Sequence, residues 1–253
     1  MDKFIDLTGK VALVTGAGQG MGVGIALRLA KQGATVLVND YFPERAEATV
    51  SKIRDLGLDA SALPFDVTNY DQVKAAAVKA GPVDILVNNA GNMGSETIRL
   101  KKFLQSTPAE WSAYVGVNLY GVMNCAHVFA PAMCERGWGR IITVSSDAGR
   151  VGLSLGVAVY GAAKAGVLGL TRHLAHEFGP KGVTVNALTL GTMNNGGDIS
   201  PEVMEASIRT VPMRVLGAPE DVGAATAFLA STDAKWITGQ VLAVNGGGLS
   251  IGG

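Results

Sequence analysis

Two kinds of run alternate along the chain. Short, nearly unbroken apolar stretches at residues 10–15, 34–40, 60–67, 83–87, 139–146, 183–188 and 239–244 read as strands. Between them lie segments with apolar residues at three- and four-residue spacing, which predict helices. The clearest covers residues 157–178, where Val157, Gly161, Ala165, Leu168, Thr171, Leu174, Ala175 and Phe178 share the helical period. Residues 43–56 form a helix rich in Glu, Arg and Lys, a solvated face. Boundary signals agree with this parsing. Asn69 followed by Gln72 predicts a capping box, and Thr107-Pro108-Ala109-Glu110 combines an N-cap, a first-turn proline and a glutamate at the third position. Strand–helix alternation predicts an α/β fold: one doubly wound, Rossmann-type parallel sheet with helices on both faces, as a single domain over residues 1–253. Residues 191–213 break the rhythm. Gly196-Gly197 and a short helix opened by Ser200-Pro201 predict a mobile lid with Met193, Ile199, Val203, Met204 and Ile208 on its underside.

Composition removes several function classes. Lys plus Arg and Asp plus Glu both total 21, giving a formal net charge of zero, and no basic block points to nucleic acid. The 34 glycines have no collagen-like period. Cys125 and Cys134 fall in one helical stretch, roughly 13 Å apart along its axis, too far to bridge. Reduced thiols and a start without an apolar leader predict a cytoplasmic protein. Residues 151–170 are of membrane-span length, but Lys164, Tyr160 and several glycines make them a buried helix instead, so no membrane partner is expected.

Candidate chemistry begins at the first strand–helix–strand unit. Gly16, Gly20 and Gly22 have the spacing G-x-x-x-G-x-G between a strand and a helix, where glycines let backbone N–H groups approach a pyrophosphate. Asp40 ends the second strand, where a carboxylate would hold the adenosine ribose hydroxyls. It would repel a 2′-phosphate, and neither Gln19 nor Tyr41 offers a compensating charge, so NAD is expected over NADP. Tyr160 and Lys164 share a helix face at i,i+4. A cation beside a phenol lowers a pKa of about 10 and makes the tyrosine a proton acceptor near neutral pH. Alone, this spacing is common in helices as a tyrosine packed on a lysine stem. His173-x-x-His176-Glu177 lacks the H-E-x-x-H order of a zinc site and reads as polar surface, so no metal is expected. No G-x-S-x-G elbow supports a hydrolase. Arg99, Lys101 and Lys102 are a small basic cluster, mostly a solvated feature, with phosphates of an acyl-CoA as the functional alternative.

Taken in order, Thr15-Gly16-x-x-x-Gly20-x-Gly22, Asp66-Val67, Asn88-Asn89-Ala90-Gly91, Asn118, Ser146, Tyr160-x-x-x-Lys164 and Val185-Asn186 resemble the short-chain dehydrogenase/reductase family over nearly the whole length. The resemblance implies a catalytic set of Asn118, Ser146, Tyr160 and Lys164, with Ser146 favoured over Ser145 to hold the substrate oxygen. It implies that Asn118 steadies a water on Lys164, and that Lys164 also holds the nicotinamide ribose. A cofactor set follows: Gly16, Gln19, Gly20, Met21, Gly22, Asp40, Asp66, Val67, Asn89, Ala90, Gly91, Tyr160, Lys164, Met193 and Asn195. Within it Asp66 would meet the adenine and Asn89 the adenosine ribose. The chain departs from the family at Leu190-Gly191, where Pro-Gly is usual, at Asn195 in place of a threonine, and at Asn245-Gly246-Gly247. Residues 94–110 are a few longer than is typical, and the turn between Ser146 and Tyr160 carries one extra residue. The expected function is NAD-dependent hydride transfer between a secondary alcohol and a ketone, on a hydrophobic ring (steroid or alicyclic) or hydroxyacyl substrate, by a homotetramer. An NADP-dependent 3-oxoacyl carrier-protein reductase and a non-catalytic dinucleotide-binding module are the alternatives.

Overall fold

The structure is a computed structural model that describes residues 5–91, 101–194 and 200–249. Arg99, Asn195, Gly196, Gly197 and Ile199, named above, lie outside the described residues. Seven parallel strands form one sheet: β1 (Val11–Val14), β2 (Thr35–Val38), β3 (Ala60–Ala62), β4 (Ile85–Asn88), β5 (Gly139–Ser146), β6 (Val183–Leu190) and β7 (Val241–Val244). Their order is β3-β2-β1-β4-β5-β6-β7. Among the described residues, eight α-helices alternate with them: α1 (Gly20–Lys31), α2 (Pro43–Arg54), α3 (Tyr70–Ala80), α4 (Pro108–Val115), α5 (Gly121–Arg136), α6 (Ala158–Phe178), α7 (Pro201–Arg209) and α8 (Pro219–Ala230). No helix among the described residues is long and apolar enough to cross a membrane.

The central strands β1, β4, β5 and β6 are buried on both faces, which is why they read as continuous apolar runs. Side chains still alternate. Ala12 and Val14 enter one core cluster with Ile25, Leu29 and Ile53, while Leu13 enters the other with Leu86, Phe129 and Met133. Helix α1 approaches α8 closely because both lack side chains at the crossing. A Cβ on Gly24 would lie 2.4 Å from Pro219 Cβ, and one on Gly223 would lie 2.7 Å from Gly24 O.

Boundaries differ from the sequence reading where local chemistry intervenes. Strand β3 stops at Ala62 rather than running to residue 67, with Pro64, which has no N–H to donate, just beyond. Asn69 caps α3 by accepting from the Asp71 and Gln72 amides, but Gln72 Oε1 accepts from the Asp66 amide instead of closing the expected box. Thr107 and Glu110 do form the reciprocal box. The helix expected from Thr107 toward Arg136 is interrupted by a π-helical turn over Gly116–Tyr120, which separates α4 from α5. On α7, Val203 faces solvent, while Met204 and Ile208 are half-buried, so the apolar underside is narrower than expected.

Candidate active site

The carboxyl ends of β1, β2, β4, β5 and β6 converge on one edge of the sheet, and β1 lies between β2 and β4, where the winding reverses. Ligands bind at such a switch point in open α/β sheets. Gly16 and Gly20 have φ of +61° and +54°, so the turn leaving β1 needs residues without a Cβ. A Cβ on Gly22 would lie 2.4 Å from Gly16 O. Gln19 makes no side-chain cap on α1, and the first turn of α1 holds no acidic residue. Its amide N–H groups therefore suit an anion, and this cradle fits the pyrophosphate of a dinucleotide.

The braces of this turn include residues the sequence reading passed over. Thr15 Oγ1 accepts from the Asn89 and Ala90 amides, each at 3.0 Å. Buried Asn39 accepts from the Gly16 amide and donates to Leu63 O and Phe65 O. Thr49 donates to Ala17 O at 2.9 Å. Asn89 spends its amide on Thr15 O and Gly16 O, and so supports the turn from below. Asp66 Oδ1 accepts from both Thr68 N and Thr68 Oγ1, which holds this half-buried residue in a fixed turn.

Asp40 is 6% exposed, with Oδ2 accepting from the Gly18 amide and Oδ1 from the Phe42 amide. The expectation that no cation stands nearby is corrected by Arg45. Its guanidinium donates to Gln19 Oε1 at 3.1 Å and lies 4.3 Å from the Phe42 ring centroid, and its Cβ borders Gly18. Arg45 is on α2, read from sequence as a merely solvated face. The signal was its position in the first turn of that helix, five residues after Asp40.

The catalytic candidates meet at the ends of β5 and α6. Ser145 Oγ donates to Lys164 O at 2.9 Å and so pins α6 to the sheet, whereas Ser146 Oγ accepts from the Ala148 amide at 3.2 Å and bears on the Tyr160 phenol. Lys164 is buried. Its Nζ donates to Val144 O at 2.9 Å and sits 5.7 Å from the Tyr160 ring centroid. The π-turn turns Asn118 into the same space, where its Nδ2 donates to Tyr114 O. Gly91 completes the arrangement, since a Cβ there would lie 2.6 Å from Asn118 Oδ1 and 3.0 Å from Lys164 Nζ. Electrostatics differ from the sequence expectation. Burial pushes the Tyr160 phenol above its usual range, opposed by the Ser146 hydrogen bond, and Lys164 does not bring it down. Burial lowers Lys164 itself to about 8, because its ammonium has left water for one carbonyl.

The family model described as enoyl-(acyl carrier protein) reductase matches residues 16–248 of the chain. The chain belongs to the short-chain dehydrogenase/reductase family. It is therefore an oxidoreductase of CH–OH and keto groups that uses a nicotinamide cofactor. A 3-oxoacyl-[acyl-carrier-protein] reductase of Staphylococcus aureus is 40% identical over 245 residues, covering 94% of this chain and 97% of that one. The structure of a 3-oxoacyl-[acyl-carrier protein] reductase with bound NAD from Brucella melitensis superposes with a TM-score of 0.91 at 33% identity, covering 98% of this chain and 93% of that one. A 7α-hydroxysteroid dehydrogenase complexed with NADH and 7-oxo glycochenodeoxycholic acid superposes at 0.88 with 34% identity, covering 97% and 96%.

Beyond these candidates, Met193 is held by a bridge to Gly217, and Asn194 N donates to Gly217 O at 2.8 Å, fixing the backbone after β6. A cavity of about 630 Å³ opens between the turn that follows Ser146 and the start of α6, where Gly161, Ala162 and Ala165 line it. Phe103, Val151, Leu153 and Val157 give it apolar walls, and Lys102 and Arg150 stand at its edge. Lys101, from the same basic cluster, is instead paired with Glu110 at 2.5 Å. Among the described residues no group of His, Cys, Asp or Glu is arranged to hold a metal ion.

Proposed function

We propose that the protein is an NAD-preferring reductase of 3-oxoacyl thioesters, with Asn118, Ser146, Tyr160 and Lys164 as its catalytic set. The feature that carries the direction is the half-buried Tyr160 phenol beside Ser146, which its surroundings hold above its ordinary range. A phenol that keeps its proton at neutral pH is ready to give it to a carbonyl oxygen, which is the reducing direction. The bound nicotinamide supplies the hydride. Ser146 holds the substrate oxygen against Tyr160, and the phenol protonates it as negative charge develops there. Lys164, near pH 8 in its own titration, keeps a positive charge behind the ring at neutral pH and returns the proton. Asn118, on its π-turn, steadies the water through which that proton arrives.

The acyl reading draws support from Lys102 and from Arg150 in the turn that follows Ser146, which suit the phosphates of a thioester-bearing arm. The likeness to acyl-carrier-protein reductases points the same way, whereas the steroid alternative draws only on structural likeness. For the cofactor, Asp40 disfavours a 2′-phosphate and Arg45 opposes it. The carboxylate prevails in this reading because it is buried against the cradle, while the exposed guanidinium is screened by solvent.

Acetoacetyl-CoA reduction, followed by oxidation of NADH and NADPH, tests both parts. NADH is expected to give the higher kcat/KM, and Tyr160→Phe to abolish turnover while NADH still binds. Retained turnover in Tyr160→Phe overturns the mechanism, and tighter NADPH binding overturns the cofactor assignment. Asp40→Ala is expected to relax the preference, and Arg45→Ala to sharpen it.

A further inference from the structure

One side-chain pair, a buried carboxylate and a half-buried amide, joins the turn after Ser146 to the turn after β7. Asp147 is 6% exposed, and its Oδ2 accepts a hydrogen bond from Asn245 Nδ2 at 2.9 Å. Its Oδ1 is buried without a hydrogen bond, and the buried Thr189 hydroxyl on β6 favours the charged carboxylate without completing one. A carboxylate in such a place is expensive, and an apolar side chain of similar size would cost less. Its presence calls for a use that the proton-transfer set does not supply.

Asn245 sits at a junction. Its Oδ1 accepts from the Gly247 amide at 3.1 Å, and its Nδ2 also donates to Leu249 O at 3.2 Å, so the turn is locally fixed. Gly191, which opens the segment after β6, packs directly on it: a Cβ on Gly191 would lie 2.7 Å from Asn245 Cβ. Gly191 N donates to Val244 O. On the next residue, Gly246 O accepts from Met213 N at 3.2 Å, and a Cβ on Gly246 would lie 2.6 Å from Val211 Cγ1. Three segments that border the substrate space therefore register on this turn: the one leaving Ser146, the one leaving β6 and the one following α7.

We propose that Asp147 and Asn245 are a positioning pair, whose buried carboxylate–amide bond holds the Ser146 turn in register with Gly191 and with residues 211–213. The pair acts through Ser146, and the proposal rests on the reading of Ser146 as the holder of the substrate oxygen. The groups that bear on the Asp147 carboxylate are Asn245, Thr189 and the Arg150 guanidinium of its own turn, and burial opposes all of them by favouring the neutral acid. A near-isosteric change at residue 245 is therefore felt as charge rather than shape.

The test compares acetoacetyl-CoA reduction by the wild type, Asn245→Asp and the exchanged pair Asp147→Asn with Asn245→Asp, from about pH 6 to about pH 9. Asn245→Asp sets a half-buried carboxylate against the buried one, and the two share a proton at low pH and repel at high pH. Its kcat is expected to fall roughly tenfold or more relative to wild type as pH rises, with a smaller change in KM. The exchanged pair restores one carboxylate and one amide, and is expected to recover the wild-type kcat and pH profile. An Asn245→Asp variant that follows the wild-type profile overturns the proposal, as does an exchanged pair no better than the single change. If Asn245→Asp is insoluble, recovery of soluble, active enzyme by the exchange supports the pair, and failure to recover overturns it. Ser146→Ala separates the two levels. Full activity in Ser146→Ala defeats the serine reading itself, whereas its loss alongside a wild-type profile in Asn245→Asp defeats the pair alone.

Discussion

Lys164 is placed where its charge is costly, and the cost has a definite pH window. Its pKa is about 8 in the fold, lowered by burial from the ordinary lysine value of 10.5. The folded state thus binds its proton less tightly than the unfolded state, and the penalty is complete below the folded pKa. It fades as pH rises from about 8 through 10.5. Lys164→Met is expected to be inactive yet more stable by about 1–2 kcal/mol at neutral pH, the relieved burial outweighing the lost bond to Val144 O. Chemical denaturation at several pH values checks this, and a variant less stable than wild type near neutrality sinks the argument. The sequence made Tyr160 and Lys164 legible because i,i+4 geometry is carried by any helix. Arg45 was legible only as a first-turn position on α2, because its approach to Gln19 depends on how α2 returns over the glycine turn. Asp147 was silent for a similar reason: its partner Asn245 lies 98 residues away.

Elements place these side chains, and here glycine carries much of the geometry. The crossing of α1 and α8 is set by Gly24 and Gly223, with Pro219 of α8 in direct contact. Gly24→Ala is expected to cost about 1–3 kcal/mol by overpacking, since both neighbours belong to rigid helices. It is also expected to weaken dinucleotide binding, because α1 carries the cradle at its N-terminus. Urea titration and NADH fluorescence measure the two effects, and an unchanged midpoint with unchanged binding would show that the crossing yields freely. Helix α6 and strand β5 were read from the sequence nearly to their observed ends, since an unbroken period leaves little choice. The π-turn at Gly116–Tyr120 was hidden, because one extra residue in a helix changes no local propensity. What it changes is the direction of Asn118, and only the packed molecule defines that.

At the scale of the whole molecule, the strand–helix alternation specified the parallel sheet, and the glycine and Tyr160 segments located its functional edge. Assembly was legible only as an expectation, and the outer face of α6 is where a partner would pack. That face leaves Ala158, Ala162 and Ala165 exposed, and Tyr120, Met123 and Leu242 are exposed as well. A homotetramer is the expected species in sedimentation at micromolar concentration, and a lone 26.0 kDa species would refute it. The strand order has a further consequence, for the chain while it is being made. Strand β1 has β2 on one side, but its other neighbour begins only at Ile85. A nascent chain that has completed β3 at Ala62 therefore carries Val11–Val14 with one backbone edge open. At roughly 5–20 residues per second the ribosome needs about one to five seconds to supply β4. During that interval an apolar strand edge is available to any other chain on the same polysome. Conditions that slow elongation through residues 63–84 lengthen the exposure, and faster decoding of that stretch shortens it.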